Sequence, residues 1–169
     1  LGTIFAVVNQ KGGVAKTTTS VTLAHGLALR GYRVLLIDLD SQGNVADCLG
    51  LPAGNDLFSL LTPGSEIKLA NGVTPSGRQG LDVIRSDKRT SNLKIMLSAM
   101  DMREYTLDDL LKDHDYDVVL LDAAPSVDVL MTAAIVAADY LLVPTRLDQL
   151  SVKGIRDLLT SLESLRRYT

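Results

Sequence analysis

The chain has 169 residues, 46% of them hydrophobic, enough for one globular domain that buries ~70% of its unfolded surface. Seventeen basic against twenty acidic residues leave a net charge of −3, so the overall balance carries no electrostatic footprint for nucleic acid and leaves only a local patch open. The single Cys48 excludes an intrachain disulfide and cannot by itself make a multi-cysteine metal or cluster site; it fits a reducing cytosol and is expected to pack.

No basic leader precedes the first apolar run, Ile4 to Val8, so no signal peptide is predicted; the chain begins without Met, as a trimmed or partial product would. That run reads as a buried strand. Directly after it comes Asn9-Gln10-Lys11-Gly12-Gly13-Val14-Ala15-Lys16-Thr17-Thr18-Thr19, and beyond Lys16 the apolar residues Val21, Ala24, Leu27 and Ala28 share one helical face before Gly31. The loop therefore joins a strand to a helix N-terminus, where a phosphate would sit. Glycines let consecutive N–H groups point inward, the helix dipole adds partial positive charge, Lys16 adds a full one, and Thr17 offers a hydroxyl to Mg²⁺. The bland alternative is a Gly-rich turn with a chance Lys-Thr. Against the standard G-x-x-x-x-G-K-S/T loop, Gln10 stands at the first Gly and Lys11 follows at once.

Arg33 to Asp38 reads as a second buried strand with a carboxylate at its C-terminal end, the edge where ligands of parallel sheets gather. In Asp38-Leu39-Asp40-Ser41-Gln42-Gly43-Asn44, alternation along an extended segment puts Asp38 and Asp40 on one side, one for Mg²⁺ and the other for the water; an Asx-rich turn is the bland reading. Residues 50–80 carry five glycines and three prolines among them before Gly80 and read as a surface excursion around Leu57 to Leu61. Leu81 to Arg85 looks like a third strand, and Leu93, Met96, Leu97 and Met100 mark a helix whose Met pair is expected in the core. Thr106 and Asp109 fit a capping box for the helix carrying Leu107, Leu110 and Leu111.

Tyr116 to Asp122, followed by Ala123-Ala124-Pro125-Ser126, is another buried strand ending in a carboxylate and has the form of a Walker B strand, whose aspartate supports the Mg²⁺ shell. Alone it is as well explained by a strand that ends in an Asp turn. A helix over Val129, Leu130 and Ala133 to Ala137 leads to a last strand, Tyr140 to Val143, and then Pro144-Thr145-Arg146; Asp139 interrupts the apolar stretch, so no spanning helix is predicted. Ile155, Leu158, Leu159 and Leu162 predict a final amphipathic helix.

The Lys11-Gly12-Gly13-Val14-Ala15-Lys16-Thr17 loop resembles the deviant Walker A loop, K-G-G-x-G-K-S/T, of the ATPases that include the ParA/Soj partition proteins, MinD and the nitrogenase iron protein. Ala15 replaces the Gly before the second lysine, where a Cβ is expected to crowd the phosphates or to disfavour a backbone angle that Gly tolerates. The Asp38 to Asn44 segment looks like the D-x-D-P-Q-G-N of ParA/Soj proteins with Ser41 for Pro, and Asp122 to Ser126 is similar to their D-x-P-P-S switch. Within this group one cysteine does not meet the iron-protein cluster pattern, and no basic amphipathic tail of MinD type is visible. The resemblance implies an α/β P-loop fold over 1–169, with a mostly parallel central sheet flanked by helices. The chain stops at Thr169, where members of that family continue through at least one more strand and helix that carry adenine contacts and basic DNA-binding residues.

The expectation is a ParA/Soj-like ATPase that binds ATP or ADP with Mg²⁺. Gln10, Lys11, Gly12, Gly13, Val14, Ala15, Lys16, Thr17 and Thr18 would bind the nucleotide, with the N–H groups of Gly12 to Thr17 holding the phosphates; Thr17, Asp38 and Asp122 would serve the metal. Lys16 and Asp40 would act in the chemistry, and the resemblance implies that Lys11 acts across an ATP-sandwich homodimer. Nonspecific DNA and a ParB-like stimulatory protein are the partners the resemblance implies, in the cytoplasm and, if DNA is bound, on the nucleoid, with no membrane. Two rivals stay open: a scaffold that has lost nucleotide binding through Ala15, and an enzyme of the family acting on a small metabolite. His25 and His114 are expected to pack or to meet a helix end.

Overall fold

Strand runs that are apolar at every position need cover on both faces, and the fold supplies it. The computed structural model describes residues 2–146 and Thr160. In chain order it shows β1 (Thr3–Val7), α1 (Lys16–Ala28), β2 (Val34–Asp38), α2 (Asn44–Leu49), α3 (Asp56–Leu61), α4 (Leu69–Gly72), β3 (Thr74–Arg78) and β4 (Leu81–Ile84). There follow α5 (Arg89–Ser98), a 3-10 turn (Arg103–Tyr105), α6 (Thr106–Leu111), β5 (Val118–Asp122), α7 (Val129–Ala137) and β6 (Tyr140–Leu142). The helix expected around Ile155 to Leu162 lies outside the described residues.

The strands form one sheet in the order β3-β4-β2-β5-β1-β6, parallel throughout except for β3, which runs antiparallel to β4. Alternation sends Leu35, Ile37, Val119 and Leu121 into a core under α3, α5, α6 and α7. Val34, Leu36, Val118 and Leu120 go to the opposite core, under α1 and α2. The register sets Val7 and Asp38 each beside Asp122, so the C-terminal ends of β1, β5 and β2 are level, and their loops open on one edge.

Four expectations are corrected. Residues 50–80 are no surface excursion: Leu57, Leu60 and Leu61 of α3 are buried in the core, and Thr74–Arg78 adds an edge strand. Pro75 is tolerated there because an edge strand need not donate every N–H, and the pairing is irregular between Pro75 and Arg78. The methionines are exposed, Met96 at 37% and Met100 at 38%, because α5 stops at Ser98 and turns Thr90, Leu93 and Leu97 inward. Thr106 does not cap α6; the 3-10 turn runs straight into that helix, and the Thr106 hydroxyl donates to the Arg103 carbonyl. Cys48 is exposed, since α2 buries Val45, Ala46 and Leu49 on its other side. His114 does pack as expected, its Nδ1 accepting from the Tyr116 N–H, and His25 stands in the last turn of α1.

An ion pair joins the start of α3 to the end of β4. Asp56, at the start of α3, accepts from Arg85 Nε (2.8 Å), Arg85 Nη2 (3.1 Å), the Arg85 N–H (3.1 Å) and the Thr74 hydroxyl (2.9 Å). Both side chains of this pair are largely shielded, so it is a geometric fixture more than a surface ion pair.

Candidate active site

The loop between β1 and α1 turns over the level strand ends. Gly13 takes a positive φ of 70° and is exposed, as a tight turn in the left-handed region requires. Ala15, the residue before α1, is also left-handed (φ 63°, ψ 31°), so the backbone angle that the sequence flagged is adopted with a Cβ in place. Val14 is buried, so its side chain anchors the loop to the body. The Lys11 N–H donates to Asn9 Oδ1 (2.9 Å), and Lys16 Nζ donates to the Lys11 carbonyl (3.2 Å), which places the ammonium across the loop. Burial pulls the Lys16 ammonium below the ordinary lysine value, and the charges of Asp122 and Asp40 oppose that.

Asp122 is the hub. Its Oδ2 accepts from the Thr17 hydroxyl and its Oδ1 from the Ser20 hydroxyl, each at 2.7 Å. Burial pushes this carboxyl up, and the two hydroxyls and Lys16 hold it down. Asp38, its neighbour in register, is fully buried and accepts from the Asp40 N–H (2.9 Å) and the Val45 N–H (3.1 Å). Burial pushes Asp38 up to about 7 against those two hydrogen bonds, with the Asp122 charge adding to the rise. Two carboxylates side by side and a hydroxyl, all hard oxygen donors, suit Mg²⁺. Among the described residues no group of three His, Cys, Asp or Glu could hold a metal by itself, so the ion would share its shell with phosphate oxygens, as Mg²⁺ commonly does.

The second aspartate sits differently from what alternation implied. β2 ends at Asp38 and the chain turns, so Asp40 is not the next outward residue of an extended run. Both aspartates make Asx turns, Asp38 to the Asp40 N–H and Asp40 to the Gln42 N–H (3.0 Å). The turn is closed by Gly43, whose N–H donates to the Asp40 carbonyl (3.0 Å); its φ is 69° and a Cβ there would stand 2.7 Å from the Ser86 carbonyl oxygen. The structure thus holds the bland turn and a half-exposed Asp40 carboxylate within electrostatic reach of Lys16 and Asp122.

A family profile described as an AAA domain matches residues 2–169. The chromosome partitioning protein ParA of Caulobacter vibrioides is 36% identical over 170 residues, which are 96% of this chain and 63% of that protein. The sporulation initiation inhibitor protein Soj of Bacillus subtilis is 31% identical over 173 residues, covering 99% of this chain and 68% of its own length. The chain belongs to the ParA/Soj-type partition ATPases. Among solved structures, cobyrinic acid a,c-diamide synthase from Mycobacterium smegmatis superposes with a TM-score of 0.87 at 31% identity, over 99% of this chain and 69% of that one. That enzyme has been seen with ADP and magnesium, and with an ATP analogue and magnesium. The chain spans less than two thirds of the Caulobacter ParA.

Within this ParA/Soj fold, Lys11 through Thr17, Asp38, Asp40 and Asp122 all come to the carboxyl edge of the sheet. Gln10 is half-buried beside them, whereas Thr18 is exposed on α1 and lines a groove of about 800 Å³ with Leu23, Leu27, Leu142 and Pro144. Sequence reasoning missed Asn9, Ser20 and Arg146. Ser20 had a signal, a polar residue on the Lys16, Ser20, Ala24, Ala28 stripe that α1 buries. Arg146 and the second contact of Asn9 had none, because their partners are 133 and 135 residues away. No helix among the described residues is long and apolar enough to cross a membrane.

Proposed function

We propose that this chain is the nucleotide-binding part of a ParA/Soj ATPase that closes into an ATP-sandwich dimer and opens on hydrolysis, driving chromosome or plasmid partition in the cytoplasm. The observation that carries this reading is the convergence of Lys16, Thr17, Asp38 and Asp122 on one sheet edge, with Asp40 beside them. Lys16 and the N–H groups of the loop would hold the phosphates of ATP, and Thr17, Asp38 and Asp122 would hold Mg²⁺. Bound there, the ion would neutralise charge on the phosphates. The reaction is transfer of the terminal phosphoryl group to water, with ADP leaving. Asp40 would orient the attacking water, a task of geometry and electrostatics more than of base strength. Lys11 would reach the phosphates of the partner subunit, and DNA and a ParB-like protein would be the ligands of the closed state.

The likeness to a cobyrinic acid a,c-diamide synthase supports a second reading, in which the same edge serves an enzyme of the family acting on a small metabolite. Magnesium-dependent ATP hydrolysis by the purified protein, lost in Asp40→Ala while ATP binding persists, supports the switch ATPase. Absence of nucleotide binding in the parent would leave the scaffold reading. Retention on DNA-coated beads in ATP but not ADP separates partition from metabolite chemistry; equal retention in both would count against the switch.

A further inference from the structure

The loop proposed to frame the phosphates holds two adjacent glycines and is exposed at Gly12, Gly13 and Ala15, the kind of segment whose ordering costs about 1–2 kcal/mol per residue. Two contacts from the far end of the described chain hold it. Asn9, buried at 4% exposure, uses both ends of its amide: Oδ1 accepts the Lys11 N–H (2.9 Å), and Nδ2 donates to the Pro144 carbonyl (2.8 Å). At the crown of the loop, Arg146 Nη2 donates to the Gly13 carbonyl (3.0 Å). The segment after β6 therefore grips the loop at its entry and at its turn.

We propose that Asn9 and Arg146 brace the loop in its phosphate-receiving shape, with Arg146 a positioning residue that acts through the Gly13 carbonyl. This rests on the reading of the loop as a nucleotide cradle. The peptide unit is planar and trans, so fixing the Gly13 carbonyl toward Arg146 also fixes the Val14 N–H on the opposite side. One donor of the cradle is thus set before any ligand arrives, and the cost of ordering it is already met in the free protein.

The test is hydrogen–deuterium exchange over residues 10–17 of the nucleotide-free protein, with ATP and ADP titrations beside it, in the parent, Arg146→Ala and Arg146→Lys. Arg146 is exposed, so its replacement leaves the core intact. Expected in Arg146→Ala are several-fold faster exchange in the loop and a loss of about tenfold in affinity for ATP and ADP alike, with KM raised and kcat unchanged. Arg146→Lys, which keeps a donor, recovers part of both. Unchanged exchange overturns the brace. So does a loss confined to ATP, which would mean a direct contact with the terminal phosphate, or recovery of affinity by lysine without recovery of protection, which would mean charge alone. If the parent binds no nucleotide while the exchange effect is present, the nucleotide reading fails and the brace stands.

Discussion

Replacing Ala15 by glycine measures the strain stored in the phosphate loop. Ala15 sits at φ 63°, ψ 31°, a region in which an L-residue with a Cβ costs about 1–2 kcal/mol. Glycine removes that cost and returns about 0.4–1 kcal/mol through the greater freedom of the unfolded chain. At the centre of those two ranges the net is a gain of about 0.8 kcal/mol for Ala15→Gly. For a protein of this length, where 1 kcal/mol moves Tm by roughly 2–4 °C, the expected rise is about 1–4 °C. Calorimetric melting of the nucleotide-free parent and variant reads it, and titration with ATP and ADP in Mg²⁺ reads the loop itself. The same backbone angle is available to glycine, so affinity in the variant equals or exceeds that of the parent. A Tm that stays level or falls would refute the strain argument, because relaxing a left-handed alanine can then release nothing. A parent without measurable affinity and a glycine variant with it would show that the Cβ, not the angle, blocks the phosphates.

Lys16→Ala removes the buried ammonium that reaches across the loop to the Lys11 carbonyl, and titration calorimetry is expected to show nucleotide binding abolished; residual tight binding would deny Lys16 its role. Ser20→Ala leaves Asp122 Oδ1 without its buried hydroxyl partner and is expected to cost about 1–3 kcal/mol in denaturant unfolding, more than an exposed serine would. The Asp56 carboxyl is raised by burial but held below the ordinary carboxylate range overall by the hydrogen bonds from Arg85 and Thr74. Its stabilisation is therefore present above the unfolded carboxylate pKa of about 4 and fades as pH falls through the lower folded value. Asp56→Asn should lower stability at pH 7 and flatten the acid limb of the stability profile; an unchanged slope below pH 4 would exclude Asp56 as a contributor.

Much of this site was legible in the sequence because its signals are local. Glycines and Lys16-Thr17 fall within one loop, the strands are continuous apolar runs, and Asp38 and Asp122 each close such a run. Those features fix a strand–loop–helix unit and carboxylates at strand ends without knowledge of any distant partner. What the local pattern could not say is which strands lie side by side. The sheet order puts β5 between β1 and β2, and only that register brings Asp38 and Asp122 together and hands Asp122 to the hydroxyls of Thr17 and Ser20. The same holds for β3, where Pro75 and Gly77 read as breakers until an edge position beside β4 made them tolerable.

Sequence alone indicated most of the strands and helices outside residues 50–80, the loop that carries Lys11 and Lys16, and a Cβ at Ala15 where glycine would be freer, because each depends on neighbours along the chain. Tertiary structure alone decided the exposure of Cys48 and Met96, the end of the extended run at Asp38, and the grip of Asn9 and Arg146 on the loop. Burial and hydrogen bonding between residues more than a hundred positions apart depend on how the strands pack, and no periodicity of one segment records that.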